Sequence, residues 1–281
     1  MDPLALPTDD LLHVLADARR SLAVAWAMRT ELLALTSAAE GSPLPEGGAL
    51  ARAGLVAGGR LQVRASPRRG KVFVADARPG RPDTDDGDAI GALLLQLGQQ
   101  TWGAPDVLVD PCCGCGELAL SIDAPMRLML DRDPRALAFA DLNRVLNGVP
   151  ESRTLLGLAD LRASTPRLAL AGLGGTALWV AMLPDVEDAT DGAVDLQQAA
   201  LDALAAARRA MPRRARLFAL MGVPGAATST AGRMPLADRA AVAFGADRVR
   251  WTLLDPAYAD RADEEGPDTA RPLGALAVEL D

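Results

Sequence analysis

The stretch Val107-Leu108-Val109-Asp110-Pro111-Cys112-Cys113-Gly114-Cys115-Gly116-Glu117-Leu118-Ala119 decides how the rest of this chain is read. Three apolar residues make a short buried strand, and Glu117 to Ile122 continue as a brief helix. The turn between them is built of small residues and two glycines. A strand, a Gly-rich turn and a helix aim backbone N–H groups and the positive end of a helix at a ligand.

Working outward, the chain after Asp88 alternates between strand and helix patterns, which predicts a parallel sheet covered by helices. Strands are expected at Leu128–Leu130, Thr154–Leu158, Ala177–Met182, Ala215–Met221, Val249–Leu254 and Leu273–Leu280. Asp133-Pro134 supplies an N-cap and a proline at the first helical position, and Asn147-Gly148 ends that helix. Further helices are expected over Ile90–Gln100 and Val194–Met211. Before Asp88, Thr8 to Glu40 carries helical periodicity, and Arg60 to Val74 predicts two short strands around Ser66-Pro67-Arg68-Arg69-Gly70. Asp76 to Asp88 is a charged Pro/Gly linker. Residues 1–88 are therefore expected to form a helical and hairpin substrate or partner domain, and residues 89–281 the ligand-binding α/β domain.

With 281 residues and 49% hydrophobic content, the chain can fill such a core. It has no apolar run long enough for a membrane span and no signal-peptide pattern at Met1-Asp2-Pro3, so a cytoplasmic protein without membrane contact is expected. All three cysteines lie in one loop, which excludes a disulfide framework. With His13 the single histidine, the chain lacks the separated ligand pairs of a zinc site, and no metal is expected. The formal charge is −8, yet residues 52–81 carry +7 and leave −15 for the remainder.

Charge also bears on the ligand. Gly114-Cys115-Gly116-Glu117-Leu118-Ala119 satisfies the dinucleotide pattern G-x-G-x-x-G/A, so a nicotinamide coenzyme has to be weighed. Its pyrophosphate would meet Asp110 at the strand end and Glu117 at the helix start, and like charges at short range are unfavourable. S-adenosylmethionine (SAM) carries an ammonium and a sulfonium, which such carboxylates stabilise. Asp131, ending the second strand, is placed for ribose hydroxyls. Asp160, following the third, is placed for an adenine amino group.

These residues also carry a resemblance. Asp110 to Leu120 resembles motif I of the class I methyltransferases, in the D-P-x-C-G-x-G form found in nucleic-acid base methyltransferases. Asp131-Arg132-Asp133-Pro134 through Asn143 and Asn147-Gly148 is similar to the following region of the small-methyltransferase superfamily, whose members act on RNA and on protein glutamine. The resemblance implies a Rossmann-like, seven-stranded α/β sheet with its last strand antiparallel, and SAM held by Asp110, Cys112, Gly114, Gly116, Asp131 and Asp160. Two departures stand out. Cys112 replaces the first motif glycine, and Ala181-Met182-Leu183-Pro184-Asp185 stands where the family has N/D-P-P-Y/F after strand four.

Methyl transfer from a sulfonium consists mainly of holding the nucleophile in line, so a general base is optional. Asp185, after strand four, is the candidate, followed by Glu187, with a solvated turn residue as the plain alternative for Asp185. An RNA base is the leading acceptor, because the +7 stretch suits a phosphate backbone. A small-molecule acceptor under an N-terminal lid is the second reading. A SAM-binding partner protein without catalysis, suggested by the missing tetrapeptide, is the third.

Overall fold

β3 (Val107–Asp110) lies inside a parallel sheet, and its four residues are all buried. The computed structural model describes residues 15, 26–31, 48, 61–66, 71–76, 104–162, 175–183, 192–224, 235–253 and 273–280. Before β3 come the hairpin strands β1 (Leu61–Ser66) and β2 (Lys71–Asp76). After it come α1 (Glu117–Ser121), β4 (Met126–Asp131), α2 (Pro134–Leu146), β5 (Thr154–Leu158) and β6 (Thr176–Met182). The chain continues with α3 (Gly192–Ala210), β7 (Arg216–Pro224), α4 (Pro235–Phe244), β8 (Val249–Leu253) and β9 (Leu273–Leu280).

Among the described residues, seven strands form one sheet in the order β5-β4-β3-β6-β7-β9-β8. β3 to β7 pair in parallel, whereas β9 runs antiparallel to both β7 and β8. The order reverses between β3 and β6, so the loop leaving β3 opens at the topological switch point. In open α/β sheets that is where ligands bind.

Both faces of the sheet are covered, which is why its strands read as apolar runs rather than alternating ones. Val107, Val109, Trp179, Ala181, Leu217 and Ala219 face α3 and α4, where Ala200, Leu204, Leu236 and Ala240 complete one core cluster. Leu108, Leu178, Val180, Phe218 and Leu220 face the other way, onto Leu118 and Leu120 of α1 and Ala140 of α2. Phe73 of β2, 1% exposed, belongs to this second cluster. The hairpin thus packs directly on the sheet-bearing unit. The boundary expected at Asp88, the linker before it and the helix expected over Ile90–Gln100 lie outside the described residues. Of the helix expected over Thr8–Glu40, residues 15 and 26–31 are described, and they are helical.

α4 has no counterpart in the sequence reading. Its buried side chains are mostly alanines beside Leu236, so little contrast marks its inner face. β7 also runs three residues past Met221, because β9 pairs with it as far as Pro224 opposite Leu273.

Two cations fix the short helix α1. Arg127 on β4 is 4% exposed and donates from Nε to Ala119 O (3.1 Å), from Nη1 to Ala124 O (2.8 Å) and from Nη2 to Ile122 O (2.8 Å). Lys71 Nζ donates to Leu120 O. The Ala119, Leu120 and Ile122 carbonyls sit at the negative end of the helix, where positive charge is stabilising, and Ala124 O belongs to the turn that follows. Burial lowers the Arg127 pKa from its usual value, the main cost of enclosing the guanidinium. Arg127→Met keeps the apolar stem but leaves three carbonyls without these donors. Urea denaturation is expected to show a loss of about 3 kcal/mol or more.

Candidate functional site

The loop after β3 is held against the end of β4 by a short ladder. Cys113 N donates to Leu130 O (2.8 Å), and Gly114 N donates to the Asp131 carboxylate at Oδ2 (2.8 Å). The turn closes with Gly116 N donating to Cys113 O (2.8 Å), after which Leu120 N donates to Gly116 O (2.9 Å) and α1 begins.

The turn needs its glycines. Gly114 and Gly116 have φ of +53° and +82°, left-handed conformations that L side chains rarely adopt. Their surroundings differ. A Cβ on Gly116 would come within 2.5 Å of Met129 Cε and 3.2 Å of Ala140 Cβ, whereas one on Gly114 would meet nothing within 4 Å. The loop therefore presses on the protein at Gly116 and is open at Gly114.

Asp131 joins three segments. Its Oδ2 holds the loop, its Oδ1 accepts from Asp133 N (3.0 Å), and its carbonyl accepts from Ala159 N (2.9 Å) just past β5. Asp133 in turn caps α2, its Oδ1 accepting from Arg135 N (2.8 Å) with Pro134 at the first helical position. Each Asp131 oxygen keeps acceptor capacity beyond the bond it makes here, and the residue is only partly buried. Asp160, also partly buried, accepts from Arg162 N (2.9 Å) and pairs with Arg162 Nε at 3.5 Å.

Asp110 differs from both. It is 1% exposed, and its Oδ1 takes only a long bond from Cys112 N (3.3 Å). Its Oδ2 is buried with no partner among the described residues. Burial, reinforced by Asp131, pushes its pKa up to about 8. The neighbouring thiols respond to the same field. Cys112 is pushed up to about 12 by burial and then by Asp110, Asp131 and Asp160, and Cys113 is raised by burial and the first two. Neither thiol is poised as a nucleophile.

Six expected site residues, Asp110, Cys112, Gly114, Gly116, Asp131 and Asp160, thus lie around the carboxyl ends of β3, β4 and β5. Asp185 falls outside the described residues, which stop after β6 at Leu183, where Leu183 N still donates to Gly222 O (2.8 Å). Asn143 was not expected in the site: it is fully buried in α2, and its Nδ2 donates to Cys115 O (2.9 Å) inside the loop. An asparagine in the middle of the Phe139, Leu142, Leu146 stripe is the sequence signal that marks it.

No family model matches the chain, and no curated protein matches it either. Solved structures do. A Streptococcus mutans protein described as a SAM-dependent methyltransferase superposes with a TM-score of 0.54 over 79% of this chain and 56% of its own, at 9% identity. The fold is that of the class I methyltransferases. A second structure, a methyltransferase, SMU.776, in complex with S-adenosylhomocysteine (SAH), gives a TM-score of 0.55 at 10% identity, covering 80% of this chain and 57% of that one. A SAM-dependent methyltransferase from Agrobacterium tumefaciens gives 0.50 at 13% identity, over 80% and 71%. The chain spans a little over half the length of the first two.

The residues present fit SAM. A buried carboxyl oxygen without a partner among the described residues can receive an ammonium, and among the same residues the open side of Gly114 leaves room for a ligand against the backbone. The carboxyls at the ends of β4 and β5 add acceptor capacity.

Asp110 also makes folding depend on pH. Its carboxyl titrates near 3.8 when unfolded and about 8 when folded, so between those values the native state holds a proton that the unfolded chain has released. The favourable contribution is complete below about 3.8 and is lost as the pH rises through about 8. Asp110→Asn removes this term. The stability of the native chain relative to the variant is expected to fall by about 1.4 kcal/mol per pH unit between roughly pH 5 and 7. Parallel denaturant curves for the two proteins would contradict the assignment.

Proposed function

We propose that this chain binds SAM at the carboxyl ends of β3, β4 and β5 and methylates a base in RNA. The observation that carries the SAM reading is the buried Asp110 Oδ2, which has no partner among the described residues and feels the charge of Asp131. An ammonium bound there restores the carboxylate charge that burial suppresses. Asp131 offers its remaining lone pairs to the ribose hydroxyls, and Asp160 accepts from the adenine amino group. Cys112, Gly114 and Gly116 shape the backbone on which the ligand lies.

Bound SAM supplies an electrophilic methyl group and departs as a neutral thioether. The protein's part is then to hold the acceptor in line and exclude water, an orientation effect that can reach roughly 7 to 11 kcal/mol. Asp185, following β6, is the candidate base that takes a proton from the acceptor.

The RNA reading rests on charge. Residues 52–81 carry +7 in a protein of −8 overall, and part of that stretch is the hairpin whose second strand packs beside the cofactor loop. Phosphates crossing the hairpin would release counterions and make binding salt-dependent.

Asp131→Ala is expected to weaken SAH binding by about tenfold or more, since each charge-assisted hydrogen bond contributes about 1.5 to 3 kcal/mol. Calorimetry reads the affinity and circular dichroism checks that the fold persists. Unchanged affinity contradicts the ribose assignment. Incubation of methyl-labelled SAM with fractionated cell extract tests the acceptor. Label in RNA, reduced by added salt and by replacing Arg64, Arg68 and Arg69, is the expected result. Label in small metabolites overturns the RNA reading but keeps the transferase. SAH binding with no labelled product favours a partner protein without catalysis.

A further inference from the structure

α2 presents two asparagines to the edge of β2. Asn147 accepts from Val72 N at Oδ1 (2.9 Å) and donates from Nδ2 to Val72 O (2.7 Å). Asn143 does the same to Val74, accepting from its N–H (2.8 Å) and donating to its carbonyl (2.9 Å). Four residues of helix rise about 6 Å, and two residues of strand advance about 6.7 Å. The two amides therefore match the two strand positions and stand in for a neighbouring strand on an edge that would otherwise hold unpaired backbone groups.

The two asparagines differ in one respect. Asn143 also donates from Nδ2 to Cys115 O (2.9 Å), between the two glycines of the loop. An amide nitrogen has two N–H groups, and both are then committed, one to the hairpin and one to the loop. Asn147 uses its amide on Val72 and on Asn143 O (2.8 Å), with no bond to the loop. The hairpin holds the other end of the same unit through Lys71 Nζ and Leu120 O at the end of α1.

We infer that Asn143 is a positioning residue that couples the docked hairpin to the geometry of the cofactor loop, with Lys71 as the second tie between them. A shift of β2 moves the Asn143 amide and with it the Cys115 carbonyl, and so changes the backbone offered to the ligand at Gly114. The hairpin then bears on the ligand site through the loop. Its effect on SAM rests on the functional reading above; its effect on the loop does not.

The test compares Asn143→Ser with Asn147→Ser, which loosen the same strand but differ in their contact with the loop. Hydrogen exchange of the unliganded chain is expected to quicken about tenfold over residues 112–116 in Asn143→Ser and to stay within about twofold in Asn147→Ser, the range one neutral hydrogen bond supplies. SAH affinity is expected to fall by about tenfold in the first variant only. Equal exchange in the two variants, or losses of affinity that simply follow the losses of melting temperature, overturns the coupling. If the native chain binds no SAH, the SAM reading fails, and loop exchange alone decides this inference. Should Asn143→Ser not fold, Lys71→Met is read by the same exchange over residues 112–121. Faster exchange there supports the coupling, and unchanged protection overturns it.

Discussion

The Gly114 N–H reaches across the end of β4 to the Asp131 carboxylate, and the crevice takes its form from that contact. Without it the turn after β3 would have, among the described residues, only the Cys113 bond to Leu130 to lay it over the neighbouring strand. The same carboxylate receives Asp133 N–H and so sets the start of α2, while the Asp131 backbone carbonyl holds Ala159 beyond β5. Through its two carboxylate oxygens and its backbone carbonyl, one residue thereby fixes the relative heights of three strand ends. Those ends carry the remaining acids, and the proposed chemistry depends on their convergence.

Fixing the strand ends is not enough, because a helix as short as α1 has little stability of its own. Its start is set by the Gly116 turn and its end by Arg127 and Lys71, one from the adjacent strand and one from the hairpin. The hairpin thus contributes to the second layer of the fold twice, through Phe73 in the core and through Lys71 at the helix terminus. It is a structural part of the sheet-bearing unit.

What could be read from the sequence follows from the range of the forces involved. The strand-turn-helix at Val107–Ser121, the Asp133-Pro134 start of α2 and the acids at the strand ends are local patterns, and local sequence specifies them. The Asn143 and Val74 pairing joins residues 69 apart, and the Lys71 and Leu120 contact joins residues 49 apart. No periodicity announces such partners; only the folded chain brings them together. Arg127 was hidden for the opposite reason, since one charge inside Met126–Asp131 leaves the strand pattern intact while serving a neighbouring helix. α4 escaped notice because small side chains fill its contact face.

The acidity of this crevice has a consequence for its sulfur atoms. With Cys112 held near 12 and Cys113 raised alongside it, both remain thiols at neutral pH, and thiols react slowly with alkylating agents and peroxide. A loop with three cysteines would ordinarily be a point of oxidative damage. Here burial first, and then the acids that suit a cationic ligand, keep Cys112 and Cys113 protonated, so neither thiol offers the thiolate that oxidants attack.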